Sequence, residues 1–127
     1  MQGFIIVFLG GGLGAAARHG VNMFAAHHAG TRYPLGTFLV NVLGSLLIGI
    51  VTEWFALRSH LPPHLRLFLV TGILGGFTTF STFSLEVGLL HARGQSLIAT
   101  LYALASVIGA VGAMFAGMQA VRQILKI

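Results

Sequence analysis

The chain has 127 residues, 56% of them hydrophobic and 7% charged, with a mean hydropathy of +0.92, a composition that excludes a soluble domain with a solvated surface and points into a membrane. Its net charge of +5 comes from seven Lys and Arg spread singly along the chain, which is no nucleic-acid footprint. Cys is absent, and with it disulfides, thiolate nucleophiles and cysteine metal sites.

A spanning helix needs ~20 mostly apolar residues. Four stretches qualify, Phe4 to Ala26, Leu35 to Leu57, Leu65 to Leu90 and Ser96 to Val121. The expected fold is therefore an all-α integral membrane protein, with residues 1–127 forming a single four-helix transmembrane domain. The first stretch lacks a basic n-region and outruns a signal peptide, so it reads as a retained span. With four spans, Arg58, Arg66, Arg122 and Lys126 share one side of the membrane, while Arg32, Arg93 and, where it snorkels outward, Arg18 belong to the other. Such an even split sets no orientation. It fits chance in a small protein, or a chain that inserts both ways and pairs antiparallel with its own copy.

In the first span, Gly10, Gly11, Gly12 and Gly14 of GGGLGAAAR make a small-residue surface for close helix packing. A phosphate-binding glycine loop fits less well, because no strand precedes the run and no Lys follows it. Arg18 closes the run, either as a snorkelling anchor or as a cation at the mouth of an anion pathway. Gly30 and Pro34 bracket a polar turn, where His27 and His28 read as solvated loop residues.

The second span carries Thr37, Asn41, Ser45 and Thr52 within about 80° of one another on a helical wheel. That polar stripe suits interhelical hydrogen bonding or the wall of a polar pathway. Glu53 and Trp54, near the end of the span, read as a solvated carboxylate and a belt aromatic without further role. Pro63 suits the first turn of the next helix.

The third span contains TGILGGFTTFSTFSLE. Gly72, Gly75 and Gly76 are poor helix formers, and the hydroxyls of Thr78 and Thr79 compete for backbone partners, so the helix is expected to break near the bilayer midplane. Backbone freed at that depth has to be buried in protein or line a cavity, and its carbonyls suit a hard monovalent cation. Phe80 and Phe83 lie about 60° apart on the wheel, beside a polar stripe of Thr79, Thr82 and Glu86. The two rings are ordinary packing or, in that polar company, positive edges attractive to an anion. Glu86, the only carboxylate in this span, is a functional candidate that also lies close enough to the end to reach water. The fourth span clusters Tyr102, Ser106, Gly109 and Ala113 on one face, mostly for packing, with two hydroxyls spaced to continue a polar track.

In that order and at those intervals, GGGLGAAAR, GTFLVNVLGS and GGFTTFSTFSLE resemble the Fluc/CrcB fluoride channels, and the likeness covers nearly the whole chain. The resemblance implies an antiparallel, dual-topology homodimer in the bacterial plasma membrane, with two pores and a structural sodium ion at the dimer centre. By that analogy the backbone oxygens of Gly75 and Thr78 from both copies hold the sodium. Fluoride passes Phe80 and Phe83, with Asn41 as amide donor, Ser81 or Thr82, Tyr102 and Ser106 as a hydroxyl track, and Arg18 as the vestibule cation; Glu86 lies along the same pathway. Ala110 departs from the family pattern, which often has a hydroxyl there. The implied role is fluoride detoxification. Neutral HF enters, dissociates, and the anion leaves passively. A potential of ~100 mV, worth about 2.3 kcal/mol per charge, holds it roughly fifty-fold lower inside.

Two other classes compete. Proton-coupled four-span exporters depend on a glutamate in the first span, and this first span has none, so Glu86 would have to substitute. An accessory subunit that only docks other membrane proteins would use the small-residue faces without transporting anything. An enzyme is disfavoured, since no nucleophile and base or metal-ligand set occurs at workable spacing.

Overall fold

A computed structural model describes residues 1–58 and 60–126. Among the described residues, four helical spans are long and apolar enough to cross a membrane. The first is α1 (Gln2–Ala29) and the second α2 (Leu35–Leu57). The third, Pro63–Ala92, is composite. It starts as α3 (Pro63–Arg66), widens into a π-helical stretch (Leu67–Leu74), returns to a single α turn, α4 (Gly75–Phe77), and resumes after a break as α5 (Phe80–Ala92). The fourth is α6 (Ser96–Ile124). Their outer faces carry large exposed apolar side chains, among them Phe4, Phe8, Leu97, Ile108 and Phe115, as a lipid-facing or partner-facing surface requires.

Two seams hold the bundle together, and glycine makes both. Along the first, α1 lies against the front half of the third span. A Cβ on Gly72 would sit 3.0 Å from Gly10 Cα, and one on Gly76 would sit 3.0 Å from Gly11 Cα, so the backbones nearly touch. Gly14 likewise leaves no room for a side chain against Ile73. Dispersion at such close approach, rather than hydrophobic burial, drives helix association in lipid. Along the second seam α2 lies on α6, where a Cβ on Gly49 would come within 2.9 Å of Met114 C and one on Gly117 within 3.1 Å of Ile50 N.

The glycines of the third span therefore act differently from the expectation. They do not break the helix, which continues through Gly72, Gly75 and Gly76 to Phe77. Packing against α1 outweighs their weak propensity. The break falls at Thr78 and Thr79, whose backbones are both extended, at φ −81°, ψ 157° and φ −152°, ψ 117°.

Two further expectations need correction. His27 and His28 are helical, in the last turn of α1, and His28 Nδ1 lies 2.9 Å from Phe24 O. The helix ends only at Gly30, whose φ of 77° is a left-handed conformation open to glycine. Glu53 is buried rather than solvated, at 5% exposure. It accepts a 2.6 Å hydrogen bond from Arg122 Nε, so the pair ties the end of α2 to the end of α6. Opposite charges at matching ends of the second and fourth spans were the available signal.

Candidate functional site

Breaking a helix inside a membrane strands backbone donors and acceptors, each costly without a partner. Here one side chain answers for both groups of Thr79. Asn41 Nδ2 donates to Thr79 O at 3.0 Å, and Thr79 N donates to Asn41 Oδ1 at 2.8 Å. The amide thus pairs with the peptide groups as a neighbouring strand would. Thr79 then starts α5 as its N-cap, its hydroxyl accepting from Thr82 N at 3.2 Å. A cap of this type contributes about 1 kcal/mol. The same hydroxyl donates to Thr82 Oγ1 at 3.1 Å and lies 3.3 Å from Ser81 Oγ, so Thr79, Ser81 and Thr82 form one hydroxyl cluster.

On the other side of the break, Thr78 remains tied to the front half. Its N–H and its hydroxyl both donate to Leu74 O, each at 3.0 Å. With Thr79 N–H turned onto Asn41 and Thr78 N–H onto Leu74, the Gly75 carbonyl loses its usual helical donors. Thr78 O receives Arg18 Nη1 at 3.5 Å. Arg18 therefore lies beside the break, at the middle of the fold.

Beside the clamp runs an open groove of about 280 Å³. Asn41 and Ser45 of α2, Thr78 to Phe80 of the break, Phe83 of α5, and Ser106 and Ala110 of α6 line it. Phe83 is 9% exposed and packs between Phe80 and Tyr102, with ring centroids 5.4 Å from each. Phe80 is 76% exposed and forms the open lip. Ser106 Oγ is buried and has no hydrogen-bond partner among the described residues. A buried hydroxyl in that state is poised for a water or an ion.

One turn farther, Glu86 joins three helices. Thr37 Oγ1 donates to Glu86 Oε1 at 2.7 Å and Tyr102 O–H to Glu86 Oε2 at 2.8 Å. Both hydroxyl protons are thereby committed to the carboxylate, and Tyr102 has only oxygen lone pairs left to offer. The structure thus gathers Asn41, Phe80, Phe83 and Ser106 at the groove, sets Ser81 and Thr82 in the adjoining cluster, and places Tyr102 and Glu86 just beyond. Gly75 and Arg18 are not among the groove-lining residues. Two roles go beyond the sequence reading: Thr79, expected at the break, is the buried centre of the clamp, and Thr37 is the partner of Glu86. The signal for Thr37 was its place on the polar stripe.

A four-span membrane bundle with a broken third helix and a polar groove beside the break defines a small membrane protein that handles an ion or small polar solute. Comparison with known proteins gives the particular family. The family described as "CrcB-like protein, Camphor Resistance (CrcB)" matches residues 5–118. A protein of Granulibacter bethesdensis named "Fluoride-specific ion channel FluC" is 52% identical over 126 residues, covering 99% of both chains. One from Nitrobacter hamburgensis, "Fluoride-specific ion channel FluC 2", is 50% identical over 95% of this chain and 98% of its own. One from Methylobacterium sp., "Fluoride-specific ion channel FluC", is 56% identical over 92% and 90%. The chain belongs to the CrcB-like family, and its four spans make it a multi-pass protein of the bacterial plasma membrane. Its relatives are named as ion channels, not as enzymes.

Proposed function

We propose that the protein is a fluoride-selective channel that lets cytoplasmic fluoride leave passively, conferring fluoride resistance. The observation that carries this is end-to-end likeness, at half of all positions, to proteins named fluoride-specific ion channels. The groove supports it chemically. Fluoride is small and strongly hydrated, so a pathway has to replace its water with donors while avoiding a full cationic cage that would trap it. Ser106 has an uncommitted hydroxyl, and Asn41 Nδ2 has a second proton beyond the one given to Thr79. Phe80 and Phe83 offer ring edges beside them. Weak neutral donors in a row admit an anion and release it. Ser81, Thr82, Tyr102 and Glu86 border this path, and Arg18 adds positive charge beside the break.

The functional unit in this reading is an antiparallel homodimer with two pores. With Arg18 at the break, Arg58, Arg66, Arg122 and Lys126 stand against Arg32 and Arg93, a bias thin enough to leave dual insertion open, and a two-fold axis in the membrane plane would bring the two breaks together. A structural sodium ion fits there. Gly75 O has lost its helical donors and Thr78 O receives only a long bond from Arg18, so both carbonyls keep lone pairs that would suit a hard cation. Such an ion would supply fixed charge joining the two copies, without itself being transported.

Efflux from proteoliposomes, followed with a fluoride electrode, tests the reading. A channel releases fluoride quickly with no pH gradient, as soon as a potassium ionophore removes the charge imbalance. Efflux that requires a proton gradient would indicate an exporter instead. No efflux from pure protein would indicate an accessory subunit.

A further inference from the structure

A second polar cavity, of about 300 Å³, lies beneath the turn between α1 and α2. Thr37 and Glu86 line it together with Asn22 of α1 and Thr31 and Tyr33 of the turn. Thr37 is one helical turn before Asn41 on α2, and Glu86 one turn after Phe83 on α5. The cavity therefore lies one helical turn beyond the groove along α2 and α5, with the Thr37–Glu86 hydrogen bond between the two. Gly36 makes room for its wall. A Cβ there would sit 3.1 Å from Asn22 Cα and would overlap the Asn22 amide.

A carboxylate in this cavity repels an approaching anion, so a mouth here needs positive charge to offset it. Arg32 supplies that charge. Its guanidinium carbon lies 5.6 Å from the centroid of the Tyr33 ring, within cation–π range, and the same Tyr33 lines the cavity. The contact sets the exposed Arg32 cation beside the rim. A fixed charge at the lip of a low-dielectric cleft raises the local concentration of counter-ions and speeds their arrival.

We infer that the cavity beneath the α1–α2 turn is a mouth of the anion path, and that Arg32, held on Tyr33, is its collecting charge. The inference rests on the channel reading above. Efflux is measured from phosphatidylcholine vesicles at ionic strengths of about 20 mM and about 500 mM, where charges are screened beyond roughly 20 Å and roughly 4 Å. Arg32→Gln is expected to slow fluoride efflux about two- to fivefold at low salt and to match the wild type at high salt. Arg32→Lys should recover most of the rate, because the charge remains. Tyr33→Leu should fall between, because the charge stays but its position is lost. Equal rates at low salt would overturn the inference, as would a deficit that persists unchanged at high salt, the mark of a lipid anchor or a folding role. A wild-type protein that carries no fluoride would instead remove the channel reading, and this inference with it.

Discussion

Asn41→Asp separates two roles that one side chain combines. In the native fold the amide donates to Thr79 O at 3.0 Å and accepts from Thr79 N at 2.8 Å. Aspartate keeps the acceptor and loses the donor, which leaves the Thr79 carbonyl facing a carboxylate oxygen. A buried carbonyl without a partner costs about 1–3 kcal/mol, and repulsion from an ionised neighbour adds to that. At 1.4 kcal/mol per factor of ten, the intact break becomes about 5- to 150-fold less favoured against opened forms. The groove also gains an acceptor-only group where an anion needs a donor. Fluoride efflux should fall at least tenfold, and the thermal midpoint in detergent should fall by several degrees. Efflux by electrode and unfolding by circular dichroism on one preparation measure both. A lower flux with an unchanged midpoint would refute the clamp. A lower midpoint with undiminished flux would leave Asn41 as helix glue only.

Phe80→Ile and Phe83→Ile should each reduce fluoride efflux with the dimer still assembled, while only Phe83→Ile, which loses ring contacts with Phe80 and Tyr102, should also lower the thermal midpoint; unchanged efflux in both would remove the ring edges from the mechanism. Arg122→Gln leaves the buried Glu53 carboxylate without its cation. Arg122 is itself half exposed, so solvent screening makes the loss smaller than for a fully buried pair. The midpoint should drop accordingly, and adding Glu53→Gln should restore part of it; no drop in the single variant would mean that the pair holds nothing together. If the proposed dimer holds sodium at its centre, replacing sodium with a large organic cation should shift the protein toward monomer in gel filtration, and an oligomeric state indifferent to sodium would remove the ion from the proposal.

The spans were legible because ~20-residue apolar runs between polar turns have few alternatives. The break at Thr78 and Thr79 was legible because hydroxyls following a glycine-rich turn compete with helical bonding. What the glycines of the third span do was not legible. Gly72 and Gly76 read as weak helix formers, and only the presence of Gly10 and Gly11 opposite turns them into packing surface. The polar stripe leaves Asn41 open to interhelical bonding or to a polar pathway, and a one-dimensional stripe does not show that both peptide groups of Thr79 stand opposite it. Glu53 failed for the same reason, its partner lying 69 residues away in sequence. Local propensity reports on the chain, whereas partners at long range are set by tertiary packing.

Reversal potential in a planar bilayer addresses the central claim most directly. With a tenfold fluoride gradient across equal chloride and equal pH, a passive fluoride-selective pathway reverses near the fluoride equilibrium potential, about 59 mV. Reversal drawn from that value toward zero would show that chloride also carries the current, and a potential that follows an imposed pH difference would show proton coupling. Either result would contradict passive fluoride conduction through neutral donors at the broken helix.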